Sequence, residues 1–346
     1  MRRIKIITAS LFLALPAVAQ QTVEGTSYCL PKTALRVVVR MEKTTYTPGD
    51  FAVYSERFLK ESAPAEASVT YRMIGTRLET CGVPDTANVH VARMDSKLSI
   101  SGIDKDDSGI LIAVNATGNK AAEPVRFKPA PKEEPLSPRD YMTQDILAAG
   151  STAKMAELTA LEIYDIRDSR NMLNRGQADF MPQDGEQLKI MLNNLDTQER
   201  ALTQLFTGRT VRDTTEVEVL YVPEKETERD VLFRFSAKMG MVDKDDLAGA
   251  PYYIRVEDLG ITAKSIMDDD TRRDAAGSGV WVNMPGKVRV TLLKGAEPLK
   301  AYELYAAQFG YSEELAASLF NKKFTTSVIL SPITGNAEHV ETVSLK

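Results

Sequence analysis

The sequence predicts an α+β fold: two β-rich, sandwich-like lobes with an antiparallel helical hairpin between them. Three observations carry this. Residues 154–207 hold two long stretches with apolar residues at helical spacing. Short alternating apolar runs separated by turn residues lie before and after them. A proline-rich stretch divides the first β-rich segment from the helices.

In the first stretch Met155, Leu158, Ile163, Ile166 and Leu173 fall on one face. Leu188, Met191, Leu192, Leu195, Leu202 and Phe206 do so in the second. Gly176 to Gly185, with a proline and two aspartates, stops one helix and restarts the next. Short helix connections give antiparallel neighbours.

At the start, Arg2, Arg3 and Lys5 precede an apolar run from Ile6 to Leu15, and Ala17-Val18-Ala19 forms a small-residue cleavage site. This is the pattern of a secretory signal peptide, assigned to residues 1–19. Cys29 lies ten residues beyond Ala19, so no cysteine sits where lipid attachment requires one. The export expected is to the periplasm or cell surface, and not as a lipoprotein. No later run reaches the ~18 apolar residues of a membrane helix.

The 346 residues carry a net charge of −5, which becomes −8 when the three basic residues of the signal are removed. An acidic chain is a poor match to nucleic acid. The expected partner is an envelope protein or a glycan, and no cofactor is expected.

The first β-rich domain is placed at 20–118. Leu35, Val37, Val39 and Met41 alternate with more polar neighbours and predict a strand with one face inward. Pro48-Gly49 turns the chain and Asp50 reads as the N-cap of a short helix carrying Phe51, Tyr54, Phe58 and Leu59. Strands are expected around 68–79, 88–94, 98–103 and 110–115, with a turn at Cys81 to Asp85. Residues 119–137 read as a linker rich in proline, semi-extended in character. The helical part, 138–208, opens on Ser137-Pro138-Arg139-Asp140, a helix-start signature. The second β-rich domain, 209–346, has expected strands at 217–221, 231–237, 252–256, 280–283, 288–293, 323–330 and 339–345, with a polar loop over 268–279.

Several phrases then become recognisable together: LPKTALRVVV, TYTPGDFAVYSERFL, GILIAVN, the hairpin from AKMAELTALEIYDIRDSRN to ALTQLFTG, VLFRFSAKMGMVDKDDLAGAPYYI and LFNKKFTTSVILSPITG. Over essentially the whole mature chain the sequence resembles a family of secreted Bacteroidetes proteins defined only as domain of unknown function number 4831. The resemblance implies an exported envelope protein. It implies no activity and assigns no residue a role.

Chemistry has few footholds. His90 and His339 are the only histidines, both in strand contexts, and no phosphate loop or nucleophile elbow is present. Asp104, Asp106 and Ser108 occupy the first positions of a calcium-loop pattern, but Asn115 stands where a bidentate Glu is needed. The plainer reading is a polar hairpin turn. Cys29 and Cys81 form an even pair that an oxidising compartment could bridge; the alternative is two small buried residues.

The sharper candidates are Glu162 and Glu199, which fall inside the apolar stripes of the two helices. A turn centred near Phe180 would place them opposite each other, between Ile166/Leu195 and Met155/Phe206, with Leu173/Leu188 further out. Two desolvated carboxylates repel and need compensation. Three forms are open: a basic side chain from a β lobe, a paired-carboxylate acid/base site, or a carboxylate metal site. The functional reading is an exported, non-catalytic binding or assembly module, with a glycan- or peptide-acting hydrolase as the alternative.

The signal pattern has a direct consequence. The exported form should begin at Gln20, and mass analysis of its N-terminal peptide checks this; an intact Met1 would overturn it.

Overall fold

The structure, a computed structural model, describes residues 25–93, 98–132, 134–182, 184–264 and 278–344. The expected signal segment lies outside them, as does most of the expected 268–279 loop. The fold is α+β, with antiparallel sheets and a helical hairpin.

The first strand, β1 (Gly25–Thr47), is 23 residues long, feeds two cores in succession and leads the chain into a third. It is the middle strand of a three-stranded sheet between β2 (Ser68–Arg93) and β5 (Arg209–Tyr221). As the alternation predicts, Leu35, Val37 and Val39 are buried on one face. They pack on Phe233 of β6 (Thr227–Ser236), Ile254 of β8 (Ala250–Thr262) and Val288 and Val290 of β9 (Trp281–Lys294). Those strands belong to a five-stranded sheet ordered β10-β9-β8-β6-β7, where β7 is Gly240–Val242 and β10 is Glu297–Glu314. The two sheets face each other as a sandwich.

Earlier in β1, Tyr28 and Leu30 enter a second core with Leu111, Val114, Phe320 and Val328. This core is covered by a four-stranded sheet ordered β12-β11-β4-β3, from β3 (Ile103–Lys105), β4 (Leu111–Val114), β11 (Phe324–Leu330) and β12 (Ala337–Ser344). Two of the three sheets therefore combine strands from the segments before and after the helices, β1 and β2 with β5 and β3 and β4 with β11 and β12.

Just past β1, Phe51 plugs the third core, shared with the helices. A 3₁₀ turn (Ala52–Tyr54) and α1 (Ser55–Leu59) follow, and no Asp50 side chain caps them; Phe51 stands at the cap position. The expected helix at Pro138 is a 3₁₀ turn, Pro138–Tyr141, followed by the single-turn α2 (Gln144–Leu147). The hairpin consists of α3 (Thr152–Arg175) and α4 (Gly185–Thr207). Ser151 and Asp184 cap their N-termini through Lys154 and Gln187 N–H. Gly176 ends α3 in the left-handed region, φ 68°, and with Gln177 returns N–H groups to the Leu173 and Met172 carbonyls.

Three further expectations change. The segment Cys81 to Asp85 is no turn: β2 runs straight through it, and Pro84 pairs with Pro31. β2 is an edge strand, where a missing N–H costs little. The irregularity is instead a bulge, since Asp85 to Asn88 are inserted opposite a single residue of β1. The expected strands at 280–283 and 288–293 are one strand, β9. Its partner β10 was not among the expected elements. A bulge at 307–310 breaks its alternation, and there the backbones of β9 and β10 come so close that a Cβ on Gly310 would stand 1.7 Å from the Met284 carbonyl oxygen.

That bulge ties β10 to β1. The Gln308 side chain accepts from Thr33 N–H (2.9 Å) and donates to the carbonyls of Thr33 (2.9 Å) and Pro223 (2.7 Å). The Thr33 hydroxyl, fully buried, accepts from Ala307 N–H (3.0 Å) and donates to the Ile333 carbonyl (3.1 Å). Thr33→Val keeps the shape but strands both partners. Unfolding in urea should show a loss on the order of 2–4 kcal/mol, whereas a change below about 0.5 kcal/mol would mean that Thr33 does not join the strands.

Candidate functional site

The carboxylates singled out in the hairpin have separate fates. Glu199 is largely buried, and each of its oxygens accepts a guanidinium hydrogen: Arg167 Nε at 2.6 Å on one, Arg170 Nη1 at 2.6 Å on the other. Arg170 Nη1 also reaches Asp196 at 2.8 Å. Its Asp196 hydrogen bond, helped by the Glu199 charge, raises the pKa of the guanidinium. The compensation thus comes from α3 itself, where Arg167 and Arg170 share a face, and not from a β lobe. Glu162 is half-buried and makes no ion pair among the described residues. Met155, Ile166, Leu195 and Phe206 belong to one apolar cluster, while Leu173 and Leu188 lie outside it. Alongside that cluster the two helices are also joined by the Arg167 and Arg170 ion pairs to Glu199 and Asp196.

The arginine–carboxylate ladder forms one side of an open groove of about 1630 Å³. This exceeds the ~300–1,000 Å³ of small-molecule sites. The groove has three walls: the C-terminal half of α4, the start of β5, and the proline-rich segment at residues 127–132 and 134–136. The segment is held by its beginning. The Arg40 guanidinium lies 4.8 Å from the centre of the Phe127 ring, and Arg77 Nη2 donates to the Val125 carbonyl at 3.3 Å. Further along, Lys132 Nζ reaches Asp213 of β5 at 2.7 Å.

Arg40 and Arg77 also grip Glu216 at 2.7 and 2.8 Å. Burial would raise the Glu216 pKa, but these two hydrogen bonds outweigh it and hold the carboxyl below its usual range. Glu216 and Asp213 lie an odd number of residues apart along a strand that pairs without a register shift, so their side chains leave on opposite faces. The proline-rich segment touches both sides and so passes around the β5 edge.

The groove carries seven cationic side chains and four carboxylates among the described residues, an excess of three positive charges in a chain of net −5. Lys128, Arg200, Arg209 and Arg212 make no ion pair among those residues. The excess outweighs the roughly half negative charge of the α4 C-terminus that ends there. The buried Thr203 hydroxyl on the same wall has no hydrogen-bond partner among the described residues.

A second cavity, about 360 Å³, lies where β1, β2, β9 and β10 meet. The His90 ring is stacked between Tyr28 and Trp281 at 5.6 and 5.5 Å, and burial pushes its pKa down, favouring the neutral imidazole. The polar groups around it are engaged with one another: Lys32 with Asp85 at 3.3 Å, Asn88 with Asp85 at 2.7 Å, and Asn283 with the Pro31 and Thr334 carbonyls. They close the sandwich end.

The remaining expected site residues are placed as follows. Asp106 accepts from Ser108 N–H, Ser108 Oγ–H and Ile110 N–H inside the β3–β4 turn, and Asp104 accepts from Gly118 N–H. That is the hydrogen bonding of a polar hairpin turn. Cys29 and Cys81 are free thiols, which corrects the bridge expectation. Cys29 pairs with Val89 while Cys81 pairs with Ala34, five residues further along β1, or roughly 17 Å. A disulfide needs Cα atoms within about 7 Å. Sequence reasoning missed the groove. Its cations come from residues 128–132, 167–170 and 200–212, and no local motif connects them.

Compared with known proteins, the chain matches a family model described as Domain of unknown function (DUF4831) over residues 24–338. No curated protein and no solved structure matches it.

The two seam carboxylates should respond differently to mutation. Glu199→Ala leaves two guanidiniums facing each other and should cost about 1–3 kcal/mol in chemical denaturation. Glu162→Gln should stay within about 0.5 kcal/mol. Equal costs would contradict the pairing.

Proposed function

The chain belongs to the DUF4831 family, and on that footing we propose that it is an exported binding or assembly module that holds an anionic partner in the basic groove. The signal pattern of residues 1–19 supports export, to the periplasm or the cell surface. The observation that carries the binding reading is the set of four cations, Lys128, Arg200, Arg209 and Arg212, gathered without carboxylate partners on an acidic protein. Sequences that need only solubility have no reason to concentrate one sign in a concavity, whereas a groove of one sign focuses the field on an oppositely charged ligand.

The alternative is a glycan- or peptide-acting hydrolase with Glu162 and Glu199 as acid and base. It requires a free oxygen on Glu199, and both accept guanidinium hydrogens. Nothing in the groove favours it over binding.

Binding to immobilised polyglutamate and to polygalacturonate tests the proposal. Retention of the full chain should fall as salt rises from about 0.1 to 1 M, over which the Debye length shortens from roughly 10 to 3 Å. The combined Arg200→Glu, Arg209→Glu and Arg212→Glu variant, with folding verified by circular dichroism, should lose at least about tenfold in affinity. Retention that neither salt nor these substitutions alter would refute it.

A further inference from the structure

The groove has a feature that charge alone does not account for. Every residue from Thr207 to Thr214 lines it. In a strand, successive side chains point to opposite faces, so a groove lying over one face would meet only alternate residues. A groove that meets consecutive residues runs along the strand's edge. β5 pairs with β1 and occupies the end of its sheet, so its other side carries backbone N–H and C=O groups that no strand among the described residues takes up.

The opposite wall explains why that edge is open. The segment lies alongside, yet Pro129, Pro131 and Pro135 have no backbone N–H to offer. Three backbone donors are therefore missing from this wall, which weakens its ability to pair as a strand. The segment can border β5, pinned by Lys132 to Asp213, without zipping onto it.

Resting on the anionic-groove reading, we infer that the ligand is an acidic polypeptide segment that adds to the free edge of β5 as an extra strand, between β5 and the proline-rich wall. Main-chain hydrogen bonds to the β5 backbone supply the affinity that does not depend on side chains. Carboxylates on one face of the incoming strand meet either Arg209 or Arg212, which leave β5 on opposite faces, and Arg200 of α4 lines the same groove. The edge from Arg209 to Thr214 is roughly 20 Å long, enough for about six paired residues. A polysaccharide of the same charge has no regularly spaced amide donors and acceptors to match a strand edge, which is why a peptide is favoured here.

The test uses the full mature chain and three fluorescent probes. One is a peptide of alternating glutamate and threonine. The second is the same peptide with proline replacing each threonine, which keeps the charge and removes the alternate donors. The third is polygalacturonate. The first should bind, and the proline version should bind at least about tenfold more weakly. Hydrogen exchange of alternate amides between Arg209 and Thr214 should slow when the first peptide is added, a readout on the unmutated protein that no folding defect can mimic. If the proline peptide and polygalacturonate bind as tightly as the first, with no protection on β5, strand addition is wrong and a simple anionic groove remains. If none of the three binds, the groove reading falls as well.

Discussion

The structure depends on one strand long enough to serve two cores and lead the chain into a third. β1 carries Tyr28 and Leu30 into the core beneath the four-stranded sheet, Leu35 to Val39 into the sandwich, and delivers Phe51 to the helical core. An extended chain spans the first two cores within 23 residues because it advances about 3.3 Å per residue where a helix advances 1.5 Å. The consequence is interdependence. β5, which follows the helices, completes the sheet that β1 begins, and β11 pairs with β4 from far upstream. Thr33 and Gln308 lock this arrangement at the point where β1 meets the β10 bulge, with every polar atom of that crossing supplied by residues remote in sequence.

The same topology makes the groove. Because β5 must pair with β1, the α4 C-terminus is held at the start of an edge strand, and Gly208 turns the chain between them with φ 73°. The linker has to return from β4 to the helices past that edge, so it becomes the third wall rather than a free tether. Arg40 and Arg77 fasten it by cation–π and carbonyl contacts while they also neutralise Glu216. The hairpin adds its own contribution. Beside its apolar stripe, the charged ladder of Arg167 and Arg170 with Glu199 and Asp196 faces the groove.

Glu199 shows how a sequence anomaly can have a local answer. A glutamate in an apolar stripe demands a cation. Arg167 and Arg170 were present in the neighbouring helix all along, one turn apart. Helical periodicity puts a residue on a face, but it does not say how far a long side chain leans along that face. Guanidiniums on flexible stems settle in whatever register satisfies them, and two of them reach a single carboxylate here.

What the sequence determined by itself were the features that live within a few residues. The α+β class, the two helices with the break between Gly176 and Gly185, the inward face of β1 and the polar turn at Asp106 all follow from spacing and local hydrogen bonding. Where local signals competed, they misled. Pro84 reads as a turn but sits harmlessly on an edge, and the bulge at 307–310 hides β10 by breaking its alternation. The tertiary structure alone decided which strands share a sheet, which cysteines are apart, and that cations from the linker, α4 and β5 gather in one groove. The physical reason is that strand pairing is satisfied by any edge in register, so its partners are chosen by burial across the whole chain and not by neighbours in sequence.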